Sequence, residues 1–120
     1  MAVPEHAVHY YEIVTTDVEA ACHLYGTAYG WEFQPTGPEL GNSFVATIPG
    51  GSLCGIRAPL HETEKPIVRT YVRVTDIETA VQEAVNMGAA NILEPMEIPG
   101  RGIIAIYLHG GIEQGLWQVP

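Results

Sequence analysis

The stretch Thr16-Asp17-Val18-Glu19-Ala20-Ala21 decides the fold, because the chain contains it twice. The second copy, Thr75-Asp76-Ile77-Glu78-Thr79-Ala80, begins at residue 75, fifty-nine positions after residue 16. Such repeats are sought before any other feature, since overlooking one leads to the wrong fold. The sequence therefore predicts two similar halves of about 60 residues, each too small to be comfortably stable alone.

Each copy of the stretch is predicted to start a helix. Thr16 with Glu19, and Thr75 with Glu78, match the capping box S/T-x-x-E, in which the threonine hydroxyl accepts from a free backbone N–H. An aspartate follows each threonine, and the helix dipole favours negative charge in the first turn. Two helices of the same kind are expected, one in each half.

Apolar residues follow each cap at helical spacing, which indicates an amphipathic helix with one buried stripe. Gly30 and Gly88 stand where the helices are predicted to end. Segments rich in β-branched and aromatic residues precede the helices, at residues 8–14 and 67–74, and are predicted to be strands. The buried stripe of the first helix is predicted to comprise Val18, Ala21, Cys22, Tyr25, Ala28 and Tyr29.

The end of each half repeats as well. Gly50-Gly51 and Gly110-Gly111 lie sixty positions apart, and each pair is a turn signal followed by alternating residues typical of a strand. Each half is therefore predicted to run strand, helix, then three strands, with a Gly/Pro-rich loop over residues 94–102 of the second half. The predicted strands are residues 31–36, 43–48 and 52–58 in the first half, and 90–94, 102–108 and 112–118 in the second.

The predicted fold class is α+β, with two βαβββ modules related by a pseudo-twofold axis. All 120 residues form a single domain: module 1 covers about residues 6–58, a linker about 59–66, and module 2 residues 67–120. Two four-stranded sheets are expected to pair, hide their apolar faces and enclose a cavity between the halves.

Composition narrows the classes of partner. The net charge of −9 disfavours nucleic acid and anionic membrane, which need a basic surface. No apolar run approaches the length of a transmembrane helix, and the N-terminus lacks the features of a signal peptide. Cys22 and Cys54 are expected to be reduced, so the expected compartment is the cytoplasm.

With βαβββ present twice, the chain resembles the vicinal oxygen chelate superfamily of glyoxalase I, extradiol dioxygenases and bleomycin-resistance proteins. The resemblance is carried by residues 12–21 with Tyr25, by residues 29–33, by residues 94–100 and by residues 115–118. It implies modules that curl around a cavity, and a homodimer. In metal-dependent members it also implies His, Glu or Gln ligands on the first and last strands of each module, holding Ni, Zn, Fe or Mn.

Counting from the caps and the Gly-Gly turns places four residues in the superfamily's metal positions: Tyr10, Gly55, Arg69 and Gly115. Glycine has no side chain to donate, and arginine is a permanent cation. Tyrosine is an uncommon ligand. No metal centre and no other cofactor are therefore expected.

A rearranged metal site is the alternative. Glu12 and Glu113, with His9 or His109, lie close to the four positions and could hold a divalent metal. Strand alternation places Tyr10 and Glu12 on one face and His9 on the other. Glu12 and Glu113 could instead be solvent-facing strand residues, or acidic partners of Arg69 or Arg73.

The predicted substrate-binding residues face the cavity by the same alternation; they are Tyr10, Glu12, Arg69, Tyr71, Glu113 and Trp117. Arg69 could bind a carboxylate or phosphate of a ligand, and Glu12 is a candidate base. The alternative is that Tyr71 and Trp117 are core aromatics and that Arg69 pairs with Glu12 or Glu113 without any ligand.

Three functions stay open at this stage. The first is a metal-independent protein that binds a small organic molecule. The second is a metal-dependent enzyme with shifted ligands, either a glyoxalase-like lyase or isomerase or a dioxygenase. The third is a non-catalytic interaction module.

Overall fold

A computed structural model describes residues 3–120, and this part of the chain contains eight strands and two helices. The fold class is α+β, as the sequence predicts. The elements in chain order are β1 (Val8–Val14), α1 (Val18–Tyr29), β2 (Gln34–Pro35), a 3-10 turn (Pro38–Leu40), β3 (Phe44–Thr47), β4 (Leu53–Arg57), β5 (Ile67–Arg73), α2 (Ile77–Asn86), β6 (Ala90–Ile98), β7 (Gly102–His109) and β8 (Ile112–Gln118).

The eight strands form one continuous sheet in the order β2-β3-β4-β1-β5-β8-β7-β6. The strands β1 to β4 of the first half correspond to β5 to β8 of the second half. Each strand lies as far from one edge of the sheet as its counterpart lies from the other edge, so an approximate twofold axis passes between β1 and β5. The expectation of two sheets pairing by their faces is therefore wrong. β1 and β5 pair antiparallel, with Glu12 opposite Arg69, because the free edge of each half needs backbone partners.

Both helices begin one residue later than the capping boxes predict. The N-cap residues are Asp17 and Asp76, whose carboxylates accept from the backbone N–H of Ala20 and Thr79, each at 3.1 Å. Aspartate is among the strongest N-cap residues, so it displaces the preceding threonine from this role.

Gly30 ends α1 in the left-handed conformation, as predicted, with φ of 74°. The second helix is capped by Met87, and Gly88 follows it. The prediction that one stripe of α1 is buried is wrong, because no residue of this helix is fully buried and Tyr29 is 61% exposed. In contrast, α2 buries Ile77 in a core on the sheet.

Two strands differ from their predicted lengths. β2 is reduced to Gln34–Pro35, whereas β6 extends to Ile98 through most of the predicted 94–102 loop. Irregularities in the register with β7 on either side of Leu93 let this proline-containing segment remain in the sheet.

The sheet has two differently covered faces. Leu116 and Ala105 pack in the core cluster that contains Ile77 of α2. Their chain neighbours Trp117 and Ile104 point to the opposite face and pack with Tyr10 and other residues there, as strand alternation requires. No helix in the described part of the chain is long and apolar enough to span a membrane.

Candidate functional site

A cavity of about 370 Å³ lies on the sheet face opposite α2, and both halves line it. Five of the six predicted substrate-binding residues line it: Tyr10, Glu12, Arg69, Tyr71 and Trp117. Its size falls in the range of small-molecule sites. The remaining lining residues are Glu39, Leu40, Gly41, Arg57, Leu60, His61, Glu64, Leu93, Met96, Ile98, Ile104 and Ile106.

Glu12 is the centre of the polar cluster in this cavity. Its Oε1 accepts from Arg69 Nη1 and, at 2.9 Å, from the Tyr71 hydroxyl. Its Oε2 accepts from Arg57 Nε at 3.0 Å. Glu12 is thus held by three donors, and this geometry favours the role of a fixed acceptor. The base role stays a prediction from the sequence.

Arg57 and Glu64 belong to the cluster but were not identified from the sequence. Arg57 Nη1 and Nη2 donate to the two carboxylate oxygens of Glu64, at 2.8 and 2.7 Å, and the backbone N–H of Leu60 also donates to Glu64 at 2.7 Å. The hydrogen bond from Arg57 holds the pKa of Glu64 down to about 2. Glu64 lies in the predicted linker, and linker polarity alone does not show which of its acids folds back.

Arg69 joins the cavity to the last strand. Its Nη2 and Nε donate to Glu113 Oε1 at 2.6 and 3.1 Å, while its Nη1 donates to Glu12. Burial acts to lower the pKa of Arg69, but the bond to Glu113 and the charge of Glu12 raise it above its ordinary value. Glu113 therefore contacts the predicted residue Arg69 but does not itself line the cavity.

Trp117 packs against both tyrosines of the cavity. Its ring centre lies 5.0 Å from that of Tyr10 and 5.5 Å from that of Tyr71, and the two tyrosine rings are 6.0 Å apart. The indole Nε1–H donates to the carbonyl of Arg101 at 2.7 Å. All three rings are at most 3% exposed. These aromatics are therefore core residues and form the cavity wall at the same time, so both interpretations of Tyr71 and Trp117 are compatible with the structure.

Burial raises the pKa of Tyr10 to about 12, and the Ser43 hydroxyl opposes this shift. Burial, followed by the charge of Glu12, raises the pKa of Tyr71 further. Both phenols therefore stay protonated at neutral pH, and Tyr71 serves as a hydrogen-bond donor to Glu12.

Gly55 and Gly115, the two glycines in the metal positions, are required because tyrosine rings pack directly against their backbones. A β-carbon added to Gly55 would overlap the Tyr10 hydroxyl and lie 2.5 Å from its Cζ. One added to Gly115 would lie 2.6 Å from Cγ of Tyr71. The tyrosine rings therefore fill the space that ligand side chains on β4 and β8 would need.

The metal of the superfamily's metal-dependent members does not fit the residues present. Glycines and Arg69 occupy three of its four positions, and within residues 3–120 no three His, Cys, Asp or Glu side chains cluster as ligands would. The rearranged alternative does not fit either, because the Arg69 guanidinium bridges Glu12 and Glu113. A positive charge of the protein itself stands between these two carboxylates.

His9 does not lie on the face that alternation predicts. The register with β5 shifts between Val8 and Tyr10, so His9 is an extra residue in a bulge. Its ring packs edge-on against Trp117, with centres 5.1 Å apart. Burial, followed by the charge of Arg73, lowers the pKa of His9. A bulge cannot be detected from alternation alone.

Comparisons with known proteins agree with this fold. The chain matches a structure of methylmalonyl-CoA epimerase from Mycobacterium tuberculosis with a TM-score of 0.76, over 100% of this chain and 93% of that one, at 17% identity. It matches a Streptomyces coelicolor methylmalonyl-CoA epimerase, in complex with 2-nitronate-propionyl-CoA, with a TM-score of 0.74, over 97% and 96% of the two chains, at 15% identity. Methylmalonyl-CoA epimerases are members of the vicinal oxygen chelate superfamily. This chain has the vicinal oxygen chelate fold.

Sequence relatives point to the same superfamily. Two curated proteins, both named "Putative glyoxylase CFP32" and found in Mycobacterium bovis and Mycobacterium tuberculosis, are 29% identical to the chain over 114 residues. The match covers 89% of this chain but only 43% of each relative, so the chain spans less than half of their length. No protein-family model matches. The resemblance to the superfamily that the sequence predicts is confirmed. The activity of the longer relatives is not assigned to this chain.

Proposed function

We propose that the chain binds a small organic molecule in the cavity between its two halves and does so without the superfamily's metal centre. The observation that carries the proposal is a single cavity that combines an apolar wall with a hydrogen-bonded cluster around Glu12. Such sites use a few fixed polar groups to orient a ligand and apolar surface to hold it. The rigidity of the cluster supports this reading, because Glu12 is fixed from three sides.

The arrangement around Arg69 supports the metal-independent form of the proposal. Its guanidinium neutralises Glu12 and Glu113, which are the carboxylates that a shifted metal site would use. Tyr10 and Tyr71 occupy the space above the two glycines. A metal-dependent lyase or dioxygenase would need metal ligands in place of the Arg69 ion pairs and the two tyrosine rings.

Metal analysis of protein purified without a histidine tag tests this part of the proposal. We expect Ni, Zn, Fe and Mn well below one atom per chain, with no change in Glu12→Ala. Stoichiometric metal that is lost in Glu12→Ala would instead establish the metal-dependent alternative.

Binding itself is tested with a variant that fills the cavity. Leu93→Trp places a large ring in the cavity wall, while Ile112→Trp adds the same ring at a position that is 67% exposed and outside the cavity. Compounds that raise the melting temperature of the wild type should do so equally in Ile112→Trp and should fail in Leu93→Trp. Equal stabilisation of all three proteins would show that binding occurs elsewhere.

We also propose that the chain forms a homodimer through exposed apolar residues of α1 and of the neighbouring part of the sheet. This helix leaves large apolar side chains uncovered, with Leu24 at 59% and Tyr29 at 61% exposed, and Val68 of the sheet is 59% exposed. Exposed apolar surface of this kind often marks an interface. Light scattering should give twice the chain mass for the wild type and a shift toward monomer in Leu24→Lys. A monomeric wild type would refute the dimer and leave the binding proposal intact.

A further inference from the structure

We infer that the ligand of the cavity is a cationic amphiphile: an aromatic or branched hydrocarbon that carries a protonated amine. The inference rests on the proposed function, because it names the ligand class of the same cavity. It predicts weaker binding of carboxylates, and also of CoA thioesters, whose phosphate groups carry several negative charges.

The first argument is that no arginine of the cavity is free to receive an anion. Arg57 is bound to Glu12 and to both oxygens of Glu64, and Arg69 is bound to Glu12 and Glu113. Their side chains are only 7% and 10% exposed. An anionic ligand that displaced Glu12 or Glu64, whose side chains are each 14% exposed, would leave that carboxylate buried and unpaired, which is strongly unfavourable.

The second argument is the balance of charge around the cavity. Three carboxylates line it, those of Glu12, Glu39 and Glu64, against the two guanidinium groups of Arg57 and Arg69. Among residues 3–120, no basic side chain forms an ion pair with Glu39. Counting only these lining carboxylates and guanidinium groups, there is one negative charge in excess, which favours a cation over an anion. The overall charge of −9 acts in the same direction.

The third argument is the position of Glu39 beside the apolar wall. Glu39 sits in the Pro38–Leu40 turn, where its Oε1 accepts from the Gly37 N–H at 3.2 Å and the Gly41 N–H donates to Pro38 at 3.0 Å. The adjacent Leu40 packs against the aromatic cluster that contains Trp117. A ligand with an ammonium group near Glu39 can therefore lay its hydrocarbon part along Leu40 and the aromatic cluster.

The experiment compares three probes of one shape and different charge: 3-phenylpropylamine, 3-phenylpropanol and 3-phenylpropanoate. Binding to the full chain is followed by the amide and indole NMR signals, with Trp117 Nε1–H as the cavity reporter. We expect the amine to bind about tenfold tighter than the carboxylate, because the excess charge attracts one and repels the other. In Glu39→Gln, the advantage of the amine over the alcohol should fall by about threefold, as expected for one partly exposed ion pair.

Glu83→Gln is the matched control, since it removes one negative charge from an exposed position on α2, away from the cavity. It should leave the amine-to-alcohol ratio unchanged. Carboxylate binding as tight as amine binding, or equal effects of Glu39→Gln and Glu83→Gln, would overturn the charge inference while the alcohol still reports a working cavity. If none of the three probes shifts the Trp117 signal, this inference fails, whereas the proposed function is decided separately by the Leu93→Trp and Ile112→Trp comparison.

Discussion

The hydroxyl of Tyr10 lies directly on the backbone of Gly55, in the space that a β-carbon at position 55 would occupy. The two residues are on neighbouring parallel strands, where Gly55 pairs in register with Glu12. Gly55 is not among the positive-φ glycines of the described chain, so a close approach and not backbone conformation requires glycine here. This contact fills a metal position of the superfamily with a tyrosine ring.

Gly55→Ala should therefore destabilise the protein by about 2 kcal/mol, because an overpacked core forces neighbouring side chains to move. The cost should fall below about 1 kcal/mol in a Tyr10→Leu background, where the ring is gone, as expected for residues in direct contact. Urea unfolding of the wild type, Gly55→Ala, Tyr10→Leu and the double variant measures the coupling free energy between the two positions. An equal cost of Gly55→Ala in both backgrounds would show that Tyr10 is not the obstacle.

Arg69→Met should destabilise the fold by about 2–4 kcal/mol, because it removes a cation from two carboxylates and leaves buried charge less compensated. Adding Glu12→Gln should recover part of this loss, since the remaining Arg57 is still neutralised by Glu64. The exposed Lys65→Met removes the same charge and serves as the control. Urea unfolding at neutral pH measures all four proteins, and equal stability of Arg69→Met and Lys65→Met would contradict the network.

The Arg57–Glu64 pair predicts a specific pH dependence. The pKa of Glu64 is lowered from an ordinary value of 4.5 to about 2 in the folded chain, first by the Arg57 hydrogen bond. A carboxyl whose pKa is lowered by folding stabilises above its unfolded pKa, and this stabilisation is lost as the pH falls toward the folded value. The advantage of the wild type over Glu64→Gln should thus be full above about pH 4.5 and should shrink toward pH 2, by up to roughly 3 kcal/mol.

Urea unfolding at a series of pH values follows this advantage, with Glu62→Gln as the control. Glu62 lies in the same linker and is exposed, so its variant should track the wild type throughout. A wild-type advantage that stays constant down to pH 2 would show that Glu64 is not held by Arg57.

The repeat predicted the architecture because both copies obey the same local rules. The capped helices, the Gly-Gly turns and the spacing of the halves come from short-range physics that is visible in the chain. The edge-to-edge joining of the halves could not be predicted, since nothing in either β1 or β5 alone shows which strand it pairs with. The bulge that moves His9 to the other face is equally invisible, because a one-residue irregularity leaves no compositional sign.

The candidate site was predicted in part for the same reason. Residues on regular strands, such as Glu12 and Tyr71, follow alternation and line the cavity as expected. Glu64 and Glu39 come from a linker and a turn, whose paths depend on tertiary contacts with Arg57 and with Gly37. The cytoplasmic compartment and the absence of a cofactor stay predictions.

The exposure of the two cysteines shows how closely α1 packs on the sheet. Cys54 is 1% exposed and lines a groove of about 260 Å³ together with Tyr25 of α1 and Trp31, whereas Cys22 on the helix is half-buried. Burial, followed by the proximity of Cys22, raises the pKa of Cys54 to about 11. Because the thiolate is the reactive form, a buried thiol with a raised pKa reacts slowly.

In the native Cys22→Ala variant, we therefore expect a disulfide reagent at about pH 8 to label Cys54 far more slowly than in urea. The reaction should accelerate in Tyr25→Ala, which removes part of the cover over the groove, and should not change in the exposed Glu19→Gln on the same helix. Absorbance of the released thiolate measures the rate. Labelling of Cys54 at the unfolded rate in Cys22→Ala would show that α1 does not cover the groove that contains this thiol.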